Sequence, residues 1–269
     1  LPPPMSNDLV QAILGGEDVA PPLRTLILDR ATGNPLFMEE LTHSLLENGS
    51  IQKKEHQYVL SRKPSEIQVP ETIQGIIAAR IDRLQEDLKH TMQVASVIGK
   101  DFAYRILQTI TGMQQELKTC LLNLQELEFI YEKSLFPELE YIFKHALTQE
   151  VAYNSLLVKR RKDIHERIGK AIEELYPERL EEFYEMLAHH YSRAENSDKA
   201  YHYLKLSADK AIRNYARYEA LGFYQGALDL LKKQPDTEEN KRRGIEIRLL
   251  MSTPMGYLSY PEGSLPVLE

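Results

Sequence analysis

From Pro70 onward, apolar residues return every three or four positions with few interruptions. That periodicity restricts most of the chain to amphipathic helices. Ile73, Ile76, Ile77, Ile81 and Leu84 share one face, and Leu88, Met92 and Ala95 continue the pattern. Ile164, Ile168, Ile172 and Leu175 make a later stripe. Phe183, Met186, Leu187, His190, Tyr191 and Ala194 make the next. Ala200, Leu204, Ala208 and Ala211, then Ala220, Tyr224, Ala227 and Leu231, complete the series. A helix with such a stripe must bury it against a neighbour.

Between these blocks the period changes. Gly99-Lys100-Asp101 breaks the helical run, with Asp101 expected to cap a helix carrying Phe102, Ile106 and Ile110. Gly112 breaks it again, and Leu117, Leu121, Leu124 and Leu127 form another stripe. Phe129-Ile130-Tyr131 and Tyr141-Ile142-Phe143 read as two short strands around a loop containing Pro137. Three helices followed by a hairpin is the order of a winged-helix domain. A helix beginning at Ala146 then places His145 at a strand-to-helix seam within the Phe143 to Tyr153 stretch. Such a seam either aims a side chain at a ligand or buries it.

The N-terminal part is less regular. Leu1-Pro2-Pro3-Pro4 is expected to be extended, with Ser6, Asn7 and Asp8 as caps for a short helix to Leu14, stopped by Gly15-Gly16. Pro21-Pro22 opens a helix to about Ala31. Asn34 caps the next one and Pro35 takes its first position, where a missing N–H costs nothing. Phe37, Leu41 and Leu45 form its buried stripe, Glu39 and Glu40 lie near its N-terminus, and Asn48-Gly49 stops it. Ile51 to Leu60 reads as a hairpin. At the other end, Tyr184, Leu187, Ala188, Tyr191, Ala200 and Leu204 fit the small-and-large alternation of a tetratricopeptide unit, with Ser207 where Ala is usual. Such units bury their faces only by stacking on neighbours.

Composition excludes several functions. A hydrophobic share of 42% over 269 residues supports packed cores, and the length fits about two domains of ordinary size. A single cysteine, Cys120, excludes an internal disulfide framework and a cysteine-rich zinc site. Without a signal peptide or a bilayer-length apolar run, the expected compartment is the cytoplasm, with no membrane partner. The start at Leu1 and the end at Leu268-Glu269 read as an excerpt from a longer protein. The net charge of −7 argues against nucleic-acid binding, and the helix that would read a groove carries Glu116, Lys118, Glu126 and Glu128. The run Lys159, Arg160, Arg161, Lys162, Arg167 and Lys170, opposed by Asp163 and Glu166, is expected to be a solvated helix face.

No phosphate loop, dinucleotide fingerprint, zinc helix or nucleophile elbow is present, so an enzyme complete in itself is not expected. His189 and His190, with His165 and His202 nearby in sequence, are expected to diverge and to hold no metal. Arg80 beside the Ile76-Ile77 stripe either pairs with Asp82, Asp87 or another carboxylate, or contacts a nucleotide phosphate.

Five segments then occur in a telling order: Gly33-Asn34-Pro35-Leu36-Phe37-Met38-Glu39-Glu40-Leu41, Val69-Pro70-Glu71-Thr72-Ile73-Gln74, Ala79-Arg80-Ile81-Asp82-Arg83-Leu84, Ala95-Ser96-Val97-Ile98-Gly99, and Phe143 to Tyr153. In this the chain resembles the region after the ATPase core in the signal-transduction ATPases with numerous domains. It is most similar to the group fused to class III adenylate or guanylate cyclases in bacteria, and to the matching part of soluble adenylyl cyclase. The resemblance covers most of the chain and is weakest in the first twenty residues and after Gln234.

The resemblance implies that Pro35 lies by an adenine and that His145 reaches the β-phosphate of bound ADP. Asn34 and Arg80 join them as candidate nucleotide contacts. Pro35 is equally explained as a helix-start residue. The family's phosphate loop and acidic Mg²⁺-binding strand are not in this sequence and would lie upstream. The expected architecture is therefore mainly α: a helical lid subdomain with a hairpin over 1–69, a winged-helix domain with a small β-hairpin wing over 70–158, and a tetratricopeptide-like α-solenoid over 159–269. The expected role is a non-catalytic regulatory part of a nucleotide-switched signalling ATPase, with ATP or ADP and Mg²⁺ held by an upstream core. An output domain in the same polypeptide and a protein on the helical array would be its partners. A tetratricopeptide-type interaction scaffold without nucleotide, and a part of an ATPase-type transcription regulator, stand as alternatives.

Overall fold

A computed structural model describes residues 1–135 and 138–260, and the loop expected around Pro137 lies partly outside them. The chain is mainly helical, with thirteen α-helices and two three-stranded sheets among the described residues. It divides into two compact units. The first combines Leu1–Ser96, Thr119–Tyr131 and Phe143–Ser155; the second combines Val97–Lys118, Glu132–Ile142 and the chain from Leu156. The 70–158 segment contributes to both.

In the first unit, α1 (Pro3–Ile13) starts earlier than the Ser6-Asn7-Asp8 cluster predicts. Prolines fit the first turn because their missing N–H groups would have had no partner there. Ser6 does not cap; its hydroxyl donates back to the Pro2 carbonyl at 3.2 Å. Helix α2 (Pro21–Ala31) has the expected bounds. Helix α3 (Pro35–Glu47) starts at Pro35, with the Asn34 side chain accepting from the Phe37 N–H at 3.2 Å. Leu23, Ile27, Met38, Leu41 and Leu45 are buried together as the core of this region.

The hairpin is present as β2 (Ile51–Lys54) and β3 (Gln57–Leu60), with Ile51 opposite Leu60 and Lys54 opposite Gln57. Strand β1 (Asp18–Val19) adds a parallel partner to β3 that the sequence reading lacks. Two residues are too few to show a period of two. Helix α4 (Ile73–Asp82) is capped by Thr72, whose hydroxyl accepts from the Gly75 N–H at 3.1 Å.

Downstream come α5 (Glu86–Ile98), β4 (Asp101–Ala103), α6 (Tyr104–Thr111), α7 (Gln115–Glu126), β5 (Ile130–Ser134), β6 (Glu140–Phe143) and α8 (Ala146–Asn154). Asp101 is not the cap expected of it. It lies in β4, pairs opposite Ile142 of β6, and accepts from Lys133 Nζ at 2.9 Å. The helix begins only after Ala103. Gly112 ends α6 in the left-handed region, with φ of 71°. The second sheet has the strand order β4-β6-β5.

The rest of the second unit is helical: α9 (Val158–Leu175), a 3-10 turn over Pro177–Phe183, α10 (Tyr184–Ala194), α11 (Ser197–Arg213), α12 (Arg217–Leu231) and α13 (Glu238–Tyr257). Phe183 precedes α10 and stacks on Tyr176 instead of extending the α10 stripe. Each helix from α9 to α13 packs on the next. Small residues set the approach: a Cβ on Gly169 would lie 2.5 Å from the Tyr191 ring carbon Cζ. Helix α13 follows the last expected stripe. Its buried face is Gly244, Ile247, Met251, Pro254 and Met255, and small residues with an internal proline weaken its apolar pattern. Among the described residues, no helix is long and apolar enough to cross a membrane.

Candidate functional site

Helix α3 presents two faces to the rest of the first unit. Pro35, Glu39 and His43 follow one another at one-turn intervals, while Glu40 and Glu47 stand two turns apart on another stripe. The two stripes recruit different partners.

Glu40 and Glu47 hold Arg80. The guanidinium is 1% exposed; its Nη1 donates to Glu40 at 2.6 Å and its Nε to Glu47 at 2.9 Å. Nη2 adds the Leu127 carbonyl at 2.9 Å, and the Phe129 ring lies 4.4 Å from the guanidinium carbon. Burial alone would favour losing the proton, but the Glu47 hydrogen bonds and the Glu40 charge outweigh it and raise the Arg80 pKa above its ordinary value. The carboxylate pairing expected for this arginine is present, with Glu40 and Glu47 in place of Asp82 and Asp87. Asp82 instead takes Lys89 at 2.7 Å.

The other stripe meets the strand-to-helix seam. Phe143 ends β6, and the Lys144 N–H donates to the Phe129 carbonyl at 3.0 Å. His145 then stands at the N-cap of α8 in extended conformation, and its carbonyl accepts from Thr148 N–H at 3.1 Å. Its ring does not cap the helix. Nε2 lies 3.2 Å from Glu39 Oε2, and the side chain is 28% exposed. Lys144 Nζ bridges Glu39 and Glu128, and lies 5.7 Å from the Tyr131 ring centre. Glu128 reaches this place from a left-handed backbone, φ 59°, two residues past the end of α7.

The electrostatics follow from that packing. Burial works against the Lys144 charge, yet hydrogen bonds to Glu128 and Glu39 raise its pKa. The Lys144 hydrogen bond holds the Glu128 carboxyl below its usual range. Burial, then the Arg80 charge, lowers the His43 pKa, so His43 is neutral at pH 7 and its 3.6 Å approach to Glu128 is no ion pair there. Glu39, His43 and Glu128 have the composition of a metal site, but the Lys144 ammonium already lies among them.

The four candidate residues therefore separate. His145 is joined to the Pro35 stripe through Glu39. Pro35 and Asn34 are exposed at the start of α3. Arg80 of α4 is buried against the other stripe, with Glu40 and Glu47. Glu39, Lys144 and Glu128 were missed by sequence reasoning. The i, i+4 pair Glu39 and His43 and the adjacency of Lys144 to His145 were the available signals, but the His145–Glu39 contact spans 106 residues.

In the second unit, His189 and His190 do not diverge as expected. Both approach His165, with ring centres 5.9 and 5.1 Å from it. His202 instead sets its ring edge-on against Tyr203. In the basic run, Lys159 and Arg160 are exposed, and Lys162 pairs with Glu195.

Residues 4–56 match a family described as Domain of unknown function (DUF8739). An uncharacterized protein of Rhizobium meliloti (strain 1021) is 25% identical over 228 residues, which cover 83% of this chain and 21% of that protein. The chain thus matches about a fifth of the length of this relative.

Proposed function

We propose that this chain is a non-catalytic regulatory part of a nucleotide-switched signalling ATPase, of the kind joined to adenylate or guanylate cyclases. In this reading residues 1–69 act as a helical lid, 70–158 as a winged-helix domain and 159–269 as a tetratricopeptide-like array. The nucleotide and its Mg²⁺ are held by a core outside these residues. The protein works in the cytoplasm, and the array receives a protein partner.

The observation that carries the reading is the position of His145. Its imidazole is partly exposed at a strand-to-helix seam and hydrogen-bonded to Glu39, one turn from the exposed Pro35. An imidazole so placed can exchange a carboxylate for a phosphate oxygen. The shift between two arrangements needs only a few kcal/mol of differential contact. The order α5-β4-α6-α7-β5-β6, with β4 beside β6, supports the winged-helix part. The consecutive packing of α9 to α13 supports the array. The partial coverage of a much longer relative is compatible with a multidomain parent.

Calorimetry tests the division of labour. The 269-residue chain alone should bind ADP weakly or not at all, and a protein extended upstream through the ATPase core should bind it. Tight binding by the chain alone would overturn the reading. The packing of α9 to α13 also favours a scaffold without nucleotide. That reading gains if the gene encodes no Gly-Lys-Ser/Thr phosphate loop upstream.

A further inference from the structure

The second unit places three imidazoles together where α9 meets α10. His165 comes from α9, and His189 and His190 are consecutive on α10. His165 and His190 are 2% and 1% exposed, and their Nδ1 atoms are 2.8 Å apart. His189 is exposed and turns its ring edge-on to both, 5.3 Å from the His190 ring centre. One ring nitrogen from each of the three can be chosen so that all lie within 4.8 Å of one another.

A shared proton accounts for two of these rings. One buried Nδ1 donates to the other, which satisfies those two atoms. It does not account for the third: among the described residues no hydrogen bond holds His189 against the pair. Three imidazoles with a nitrogen each within 4.8 Å of the others, two buried and one at the surface, give a ligand set with an entry path once an ion displaces the shared proton. Burial favours the neutral form of His165 and His190, partial desolvation of the ring and the Arg193 charge favour that of His189, and only an unprotonated nitrogen can ligate.

We propose that His165, His189 and His190 form a binding site for a divalent transition-metal ion that bridges α9 and α10. Imidazole donors select the borderline ions Zn²⁺, Co²⁺, Ni²⁺ and Cu²⁺ over Mg²⁺ and Ca²⁺, which require oxygen ligands. Three nitrogens leave a fourth position open to water or to an anion. Arg161 lies one turn before His165 on α9, and Arg193 lies one turn after His189 on α10. Both guanidinium charges act on His165. They weaken attraction for the dication and favour an anionic fourth ligand. The site is therefore an exchangeable one, and a bound ion would clamp the first two helices of the array.

The test is titration of the tag-free protein, stripped with a chelator, with ZnCl₂ and separately with CoCl₂. The expected result is one ion per chain by calorimetry, with the intense visible absorption of four-coordinate Co²⁺. His189→Ala removes an exposed ligand without touching the buried pair. It should weaken binding by at least the roughly tenfold that loss of even an outer-shell partner costs. His202→Ala should leave binding unchanged. A His165→Asn variant, if folded, should abolish the cobalt spectrum. No stoichiometric binding by the wild type, or equal binding by wild type and His189→Ala, would overturn the proposal.

Discussion

The two units handle buried polar groups in opposite ways. In the first, full charges are buried and compensated: Arg80 and Glu40, 1% and 3% exposed at their side chains, meet at 2.6 Å. Lys144 bridges Glu39 and Glu128 nearby. In the second, the deepest polar side chains include histidines that burial keeps neutral, and tyrosine hydroxyls are tied to carboxylates. Tyr203 donates to Glu173 at 2.7 Å, Tyr191 to Glu173 at 2.8 Å and Tyr224 to Asp209 at 2.9 Å. Compensated charge fixes geometry tightly, because losing one partner strands the other in a low-dielectric interior. The contact between neutral imidazoles is instead vulnerable to proton uptake. In the proposed function the first arrangement serves the anion switch and the second the helical array.

The largest effect that would break this contrast is at Arg80. Arg80→Met leaves Glu40 buried without its cation, and should cost about 3–5 kcal/mol in urea denaturation. Adding Glu40→Leu should restore part of that loss. A single variant within 1 kcal/mol of wild type would mean that the ion pair does not organise the first unit.

Acid should act first on the second unit. Burial lowers the His165 pKa to about 4, with smaller contributions from the His189, Arg193 and Arg161 charges. The unfolded chain therefore takes up this proton near pH 6.5, before the folded protein does. The stability this group contributes is fully present above that pH and is lost as the pH is lowered through about 4. Hydrogen exchange with a chelator present should show α9 and α10 amides losing protection across that window. Flat protection would contradict the neutral-histidine account.

Gly169→Ala tests the close approach of α9 and α10. The added Cβ would meet the Tyr191 ring at 2.5–2.9 Å, so a loss of about 1–3 kcal/mol is expected in thermal or urea unfolding. The smallest expected effect is at the start of α3, where Asn34→Ala removes the cap on Phe37 N–H and should cost about 1 kcal/mol. The nucleotide contact proposed for it is tested separately, by ADP affinity.

These contrasts also explain what the sequence could reveal. The bounds of α2, the Asn34 cap and the stripes of α9 to α12 are local properties, and period and capping chemistry expose them. Asp101 misled because a good cap residue also suits a strand end when a lysine lies across the sheet. Strand β1 and helix α13 escaped because one is two residues long and the other has a shallow pattern. His145 and Arg80 were recognisable as unusual, yet their partners were not. Glu39 reaches His145, and Glu40 and Glu47 reach Arg80, only through folding, from a helix tens of residues or more away. The convergence of His165, His189 and His190 needs the α9–α10 packing, which no spacing rule on one helix contains.

The central claim is that His145 reads a nucleotide held by a core outside these residues. Its most direct test is calorimetry of ADP on the protein carrying that ATPase core, comparing wild type with His145→Ala. Loss of one hydrogen bond to a charged phosphate is worth about 1.5–3 kcal/mol, so affinity should fall roughly 10- to 100-fold. Unchanged ADP affinity, together with unchanged output, would remove His145 from the switch and contradict the account.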